Sequence, residues 1–257
     1  MRSNNIVELR EMMKGHTDLE EQCISDQREG VPCPPIFKHE HTDKKIMLTR
    51  DFEGIIKETN YLDLINNRIS RRVYKEEEAL TLKQLSFLLW STQGVKKIGS
   101  NYINTFRTVP SAGARHALET YLFVNHVEGL EKGIYHYESE AHTLEYKGCE
   151  EGLTDYLSSA LCGQLFAAHA PVCFVWTAIP YRTEWRYNNK AAKYILLDVG
   201  HVCQNLYLSC EAMGLGTCAI GAYNQAELDG LLHLDTEPSD NIEAEFVVYA
   251  ASVGVPK

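Results

Sequence analysis

A short basic segment stands out in a chain that is otherwise acidic. Arg68, Ser70 and Arg72 occupy alternate positions, and Arg71 adds a third arginine within the same five residues. In an extended backbone, residues at alternate positions share one side. A guanidinium group pairs with phosphate oxygens through two parallel hydrogen bonds, and a serine hydroxyl adds a neutral donor. The segment therefore indicates an anion site, with a solvated basic turn after a helix as the alternative.

A second candidate site is a loop of small residues. Pro110, Ser111, Ala112 and Gly113 follow Arg107 at a short distance along the chain. Small residues after a proline allow a flat ligand to approach the backbone closely. The alternative is an ordinary turn that opens a helix, with Ser111 as its cap.

Two glycine-rich stretches match nucleotide-binding patterns in their letters alone. Gly214–Ala219 has the spacing G-x-G-x-x-A, but its glycines close a predicted helix and lead into a strand, which reverses the dinucleotide-binding order. Gly94–Gly99 has P-loop spacing, but Ser100 stands where the lysine should be. We interpret Gly214 as a helix stop and exclude both nucleotide-binding patterns.

The composition excludes several classes of protein. The 257 residues include 25 basic and 35 acidic side chains, and the net charge of −10 argues against nucleic-acid binding because phosphates need a basic face. The apolar stretches are too short for a membrane helix, and the chain opens without an apolar signal region. Its eight cysteines include no Cys-x-x-Cys pair, so we expect reduced thiols, no metal site and a cytoplasmic location. His39-x-His41 lacks a nearby third ligand and is interpreted as part of a solvated loop.

Apolar periodicity predicts helices and strands that interleave without strict alternation, which favours an α+β fold with a mixed sheet. Residues 1–59, with a short helix near 5–14, are expected to form an extended arm, and residues 60–257 the functional domain. The predicted helices cover 61–65, 82–93 behind a Thr81 cap, 154–170 with a weak point at Gly163, 190–213 and 225–232. The predicted strands cover 119–125, 133–137, 143–147, 171–179, 217–221 and 244–255.

The helix predicted over 190–213 has the strongest periodic signal. Its apolar residues recur at spacings of four and three, which is typical of a helix that packs along its whole length. Such a helix is either the central core helix or a helix at a subunit interface. The repeating positions, here called the seam, are Ala192, Leu196, Val199, Cys203, Leu206, Cys210 and Met213.

Six features of the sequence, taken in order, resemble the FMN-dependent nitroreductase superfamily, and within it the SagB/ThcOx-type dehydrogenase branch. The resemblance covers residues 60–256, and it rests on the combination, since each feature alone is weakly specific. The features are Arg68-x-Ser70-x-Arg72, Leu88-Leu89-Trp90-Ser91-Thr92-Gln93-Gly94, Arg107-x-x-Pro110-Ser111-Ala112-Gly113, Gly133-Ile-Tyr135-His-Tyr137, Gln164 before Ala170-Pro171, and Leu197-Asp198-Val-Gly200-His201-x-x-Gln204-Asn205-Leu206 before Gly214-Leu-Gly216.

The resemblance implies a nitroreductase-like α+β fold, a mixed sheet flanked by helices, in which a homodimer builds two FMN sites at its interface. It also implies that Arg68 and Ser70 hold the FMN phosphate, and that Arg72 reaches the ribityl chain or the pyrimidine edge of the ring. By the same resemblance, Pro110–Gly113 line the isoalloxazine across the interface. The backbone of Ile220 and Gly221 is expected near flavin N5.

The resemblance also bears on catalysis. Lys193-Tyr194 is similar to a Lys-Tyr pair in thiazole- and oxazole-forming members, where the two residues would act as a base and an orienting group. The alternative is that Tyr194 packs in the core and Lys193 lies at the surface. Many relatives carry a basic residue after the last strand that completes the phosphate site, and whether Lys257 takes this role is left open.

Three functions are compatible with the resemblance. The first is an FMN-dependent oxidoreductase that transfers hydride through flavin N5, with NADH or NADPH as the electron donor and a small-molecule substrate. The second is a dehydrogenase that oxidises azolines in a peptide with FMN as the oxidant. The third is a flavin-binding module without turnover. Neither nucleic acid nor a membrane is expected as a partner.

Overall fold

The computed structural model describes residues 6, 9–10, 13–14, 24–39, 42–75, 77–236 and 242–257. The helices are α1 (Asp26–Glu29), α2 (Tyr61–Asn67), α3 (Leu82–Gln93), α4 (Leu153–Ala160), α5 (Leu165–Ala168), α6 (Tyr181–Tyr187), α7 (Ala191–Met213) and α8 (Gln225–Leu231). The strands are β1 (Lys45–Met47), β2 (Val95–Ile98), β3 (Thr105–Arg107), β4 (Leu118–Val124), β5 (Gly133–Glu138), β6 (Thr143–Gly148), β7 (Val172–Ala178), β8 (Gly216–Ile220) and β9 (Phe246–Gly254).

Seven of the described strands form one sheet in the order β1-β6-β5-β4-β7-β9-β8, and β2 pairs with β3 separately. The α+β architecture is confirmed. Interleaved helices and strands predict a mixed sheet, but each ladder of this sheet is antiparallel, because connecting helices such as α8 join neighbouring strands of opposite direction. Among the described residues, parallel pairing is confined to isolated bridges, and the bridge from Ser70 to Thr217 extends the sheet beyond β8.

Both faces of the sheet are buried. Phe174 and Trp176 of β7 point toward the face covered by α3 and α7, whereas Cys173 and Val175 point toward the face covered by α4, α5 and α8. A strand that is buried on both faces is expected to have a continuous apolar sequence, and Val172–Ala178 has one.

Local signals explain some of the element boundaries. Thr81 and Gln84 form a capping box at the start of α3, each accepting a hydrogen bond from the other's backbone N–H. Gly214 ends α7 in the left-handed conformation with φ of 73°. The single helix predicted over 154–170 is wrong, because the chain leaves helical geometry after α4 and Gly163 adopts φ of +76° before α5 begins.

The seam on α7 is buried over only part of the helix. From Val199 onward its residues lie in the core of the chain, with Leu206 and Met213 both 0% exposed. Near the start of the helix, by contrast, Leu196 is 61% exposed and Ala192 is exposed as well. The prediction that the helix packs along its whole length is therefore wrong for a single chain. Residues 199–213 pack in the core, whereas residues 191–198 expose apolar side chains to solvent.

The arm contacts the functional domain through several hydrogen bonds. Trp185 of α6 donates from Nε1 to the Val31 carbonyl at 2.9 Å, and Arg182 donates from Nε to the Pro35 carbonyl at 3.0 Å. Lys38 pairs with Glu245 at 2.6 Å. The domain boundary after residue 59 stays a prediction.

Two predictions concern residues outside the described part of the chain. In the helix predicted near 5–14, Ile6, Leu9 and Arg10 are helical, and several of the intervening positions lie outside the described residues. In the His39-x-His41 pair, His41 also lies outside them. Among the described helices, none combines the length and the apolar character that crossing a bilayer requires.

Candidate functional site

The basic segment lies along the outer edge of β8. Asn60 caps α2 by accepting a hydrogen bond from the Leu62 N–H at 3.0 Å, and the chain leaves the helix at Arg68. The segment then becomes extended, and Ser70 forms its bridge with Thr217. The geometry thus places the segment beside the strand that leads to Ile220 and Gly221.

A tyrosine of α7 connects this segment to β8. The Tyr207 hydroxyl lies 2.8 Å from Ser70 Oγ and accepts a hydrogen bond from the Ala219 N–H at 2.9 Å. The Arg68 guanidinium lies over the Tyr207 ring, 5.2 Å from its centroid. Sequence reasoning missed Tyr207 because its position in an apolar helix predicts a residue of the core. The hydroxyl of the side chain was the one feature of the sequence that could have indicated a functional role.

The other two arginines point in different directions. Arg71 turns toward α7, where its guanidinium lies 3.7 Å from Glu211. Arg72 is exposed, and its guanidinium lies 6.0 Å from the centroid of the Phe166 ring. The buried Cys218 thiol is beside Ser70 and Arg72: burial raises the pKa of this thiol, while the charge of Arg72 and a hydrogen bond with Ser70 oppose the rise. The structure therefore separates Arg71 from the Arg68, Ser70 and Arg72 group.

A cavity of about 510 Å³ adjoins Arg72. The backbone of Lys257 is fixed there, since its N–H donates to the Val73 carbonyl at 3.3 Å and the preceding Pro256 bridges to Tyr74. The wall includes Arg72, Lys75 and Lys257, and no acidic side chain is among the described residues that line it, so the charged groups present suit a phosphate. The lining residues are Arg72, Val73, Tyr74, Lys75, Leu165, Phe166, His169, Pro171 and Lys257.

The Pro110–Gly113 loop is held by the first part of α7. The Asp198 carboxylate accepts a hydrogen bond from the Ala112 N–H, with oxygens at 3.2 and 3.3 Å, and Ser111 Oγ accepts one from the His116 N–H at 3.0 Å. Burial raises the pKa of Asp198, and its hydrogen bonds with Ser111 and Ala112 oppose that rise.

Gly113 has a conformation that favours glycine. Its φ is +59°, and a Cβ atom at this position would lie 2.6 Å from the Tyr187 hydroxyl. The backbone therefore approaches α6 more closely than a larger residue would allow.

One chain does not bring the loop and the basic segment together. Their anchors on α7, Asp198 and Tyr207, are nine residues apart, which corresponds to about 13 Å along the axis and about two and a half turns. The two anchors therefore lie on opposite sides of the helix. By contrast, Ile220 at the end of β8 and Gly221 after it directly follow Ala219 and so lie close to the basic segment.

Lys193 and Tyr194 lie near the start of α7 and are both partly buried. Lys193 Nζ donates to the Met13 carbonyl at 2.7 Å. The Tyr194 ring packs edge-on against Tyr187, with 4.9 Å between centroids, and Tyr187 is the residue that faces Gly113. Tyr194 is thus on the Pro110–Gly113 side of the helix, whereas Lys193 contacts the arm, and the catalytic role of the pair stays a prediction.

Large aliphatic side chains are exposed on the open part of α7 and on α2. Leu196 and Leu197 are 61% and 53% exposed, and Leu62 and Ile65 of the neighbouring α2 are 69% and 43% exposed. These four large aliphatic side chains lie on two helices that contact each other and are here called the apolar face. Exposed apolar side chains of this kind are found at interaction surfaces in proteins.

Comparison with known proteins identifies the family. Residues 65–255 match the Nitroreductase family, so the chain belongs to that family. It is 36% identical over 183 residues to a nitroreductase-family protein, MJ1384, of Methanocaldococcus jannaschii, covering 71% of this chain and 89% of the relative.

Two further similarities are more distant. A crystal structure of a nitroreductase-family protein from Ralstonia eutropha JMP134 superposes with a TM-score of 0.66 at 23% identity, covering 87% of this chain and 95% of the other, which supports the fold. The trifolitoxin-processing protein TfxB of Rhizobium leguminosarum bv. trifolii is 27% identical over 133 residues, which cover 50% of this chain and 36% of the relative.

Proposed function

We propose that the protein is an FMN-dependent oxidoreductase that works as a homodimer. Membership of the nitroreductase family supports oxidoreductase chemistry. The observation that carries the cofactor assignment is the hydrogen-bonded group of Arg68, Ser70 and Tyr207, which joins an anion site to the strand ending at Ile220–Gly221. FMN, when bound, supplies hydride acceptance and donation at its N5 atom.

Arg68 and Ser70 hold the cofactor phosphate in this proposal. Both offer hydrogen-bond donors, and Arg68 adds local positive charge to a chain of net charge −10, which attracts an anion. Arg72 and Lys257, which line the same cavity, add positive charge next to the phosphate or toward the ribityl chain. Lys257 would thereby be the basic residue after the last strand that completes the phosphate site.

The flavin ring requires a second copy of the chain. Pro110–Gly113 and the basic segment lie on opposite sides of α7, so we infer that the loop from one copy lines the ring held by the other. The apolar face lies on α7 and α2 and supplies the surface on which two copies would meet. The backbone at Ile220 and Gly221 orients the ring edge that carries N5 in this proposal.

The decisive experiment is an absorbance spectrum of the purified protein, followed by anaerobic titration with NADH and with NADPH. The proposal expects a flavin spectrum that bleaches with one of the two donors. A colourless protein that takes up no added FMN would overturn the cofactor assignment. A bound flavin that neither donor reduces would favour a binding module without turnover.

A second candidate function is oxidation of azolines in a peptide. The similarity to the trifolitoxin-processing protein favours it, together with the position of Tyr194 on the Pro110–Gly113 side of α7. In this case an azoline gives up two electrons and two protons to become an azole, the flavin being the electron acceptor. The test is azoline-peptide oxidation by Lys193→Ala and Tyr194→Phe, since unchanged rates on a confirmed substrate would exclude catalytic roles for both residues.

A further inference from the structure

The Tyr207 hydroxyl has two polar contacts, one with the backbone of β8 and one with a side chain of the basic segment. It accepts a hydrogen bond from the backbone of Ala219 at 2.9 Å and lies 2.8 Å from Ser70 Oγ. A phenol has one proton to donate, and the Ala219 N–H leaves that proton free for Ser70. The chain of contacts runs from β8 through Tyr207 to an exposed serine hydroxyl.

We propose that Tyr207 is a positioning residue that orients the Ser70 hydroxyl as a donor to the cofactor phosphate. This inference rests on the proposed FMN function. When Tyr207 donates to Ser70 Oγ, the serine proton is left to be donated outward. The outward side is open, because Ser70 is exposed and the Arg68 guanidinium beside it lies over the tyrosine ring.

The Cys218 sulfur is a competing acceptor for the Ser70 proton. The Ser70 hydroxyl is also close enough to the thiol of this residue, which is buried under the segment, to oppose the rise in the pKa of that thiol. A serine hydroxyl rotates freely about its Cβ–Oγ bond. Without the Tyr207 proton on its oxygen, Ser70 can turn its own proton toward the sulfur, and the phosphate loses a donor.

The ring and the hydroxyl of Tyr207 have separable roles. Tyr207→Phe keeps the ring under Arg68 and removes only the hydroxyl. Tyr135→Phe is the matched control, because Tyr135 is fully buried, donates to the Glu131 carbonyl at 2.7 Å and lies on β5, far from β8 in the strand order. Thermal unfolding of both variants establishes that each is folded before binding is measured.

The test is the affinity for FMN compared with the affinity for riboflavin, which lacks the phosphate, each measured by flavin fluorescence. We expect Tyr207→Phe to weaken FMN binding by about tenfold and to leave riboflavin binding unchanged. Tyr135→Phe should change neither affinity. In a Ser70→Ala background, Tyr207→Phe should cause no further loss, because the tyrosine acts through the serine.

Each outcome has a separate meaning. If the unaltered protein binds neither flavin, the proposed function fails. If the unaltered protein binds FMN but Tyr207→Phe has the same ratio of FMN to riboflavin affinity, the positioning role is wrong and FMN dependence stands. An equal loss of affinity for both flavins would also contradict the positioning role. So would a full additional loss of FMN affinity in the Ser70→Ala background, since either result would mean that Tyr207 maintains the general shape of the site.

Discussion

The two parts of α7, residues 199–213 and residues 191–198, share one apolar periodicity but differ in what their side chains contact. Residues 199–213 pack inside one chain, and their Tyr207 holds the basic segment against β8. Residues 191–198 expose Leu196 and Leu197, and their Asp198 holds the Pro110–Gly113 loop. One part builds half of the proposed site from a single chain, and the other presents the second half on a surface that a second copy would cover. Seam spacing therefore identifies a packed helix without identifying its partner.

The largest expected effect is on the buried part. Leu206→Glu places a carboxylate at a position that is 0% exposed within the apolar core. Burial of an unpaired charge is among the few mechanisms that cost more than about 4 kcal/mol. We expect loss of the folded state, measured by circular dichroism and by yield of soluble protein. A folded, flavin-binding Leu206→Glu variant would show that this part of the helix is not core.

The exposed part should respond differently to the same substitution. Leu196→Glu adds a charge at a position that is 61% exposed, so the fold should persist while association of two copies is lost. Sedimentation should show a monomer with an unchanged circular dichroism spectrum, and flavin binding should weaken. A dimer that survives both Leu196→Glu and Leu197→Glu would rule out the apolar face as the interface.

The fold could be predicted where neighbours in sequence decide the structure. Thr81 with Gln84 and the stop at Gly214 are local signals, so α3 begins and α7 ends where the sequence indicates. The break near Gly163 was predicted only as a weak point, because helical apolar spacing continues across it while the backbone turns to positive φ. The exposure of Leu196 could not be predicted, since spacing is the same for a side chain covered by its own chain and for one covered by another.

The candidate site also has residues that the sequence pattern reveals and residues that it does not. The alternation of Arg68, Ser70 and Arg72 is visible in the sequence, and the structure brings all three to one edge of β8. Tyr207 was missed as a functional residue because helical spacing assigns it to packing, and Asp198 was named only as part of a motif that resembles the family. Their contacts join elements far apart in the chain, which no local pattern reveals.

Arg68→Ala tests the half-site that one chain builds. It removes charge-assisted hydrogen bonds to the phosphate that are each worth about 1.5–3 kcal/mol, so FMN affinity should fall by about tenfold or more. Arg71→Ala is the matched control, because Arg71 belongs to the same segment but faces Glu211. Isothermal titration should show near-normal FMN affinity for the control. Equal losses in both variants would indicate a diffuse effect of charge instead of a defined contact.

Gly113→Ala tests the loop held by the other part of α7. A Cβ at φ of +59° would lie 2.6 Å from the Tyr187 hydroxyl, whereas a Cβ at Gly129, where φ is +79°, would have no neighbouring atom within 4 Å. Both alanine variants should lose about 1 kcal/mol of unfolding free energy from the left-handed backbone, and Gly113→Ala should lose about 1 kcal/mol more from the close contact. Urea unfolding measures both. Adding Tyr187→Phe, which removes the contacting oxygen, should narrow the difference, and no difference at all would place the loop away from α6.

The smallest expected effect concerns the anchor of that loop. Burial raises the pKa of Asp198 above its usual value, so the folded state binds a proton more tightly than the unfolded state does. The contribution of this group to stability is therefore fully present below the unfolded pKa and is lost as pH rises through the folded pKa. Asp198→Asn lacks this titration, so the stability of the original protein relative to the variant should decline between about pH 3.5 and about pH 7. Urea unfolding at the two pH values gives that difference. A relative stability that instead grows with pH would mean that the hydrogen bonds from Ser111 and Ala112 dominate over burial, and that Asp198 holds the loop as a fully stabilised carboxylate.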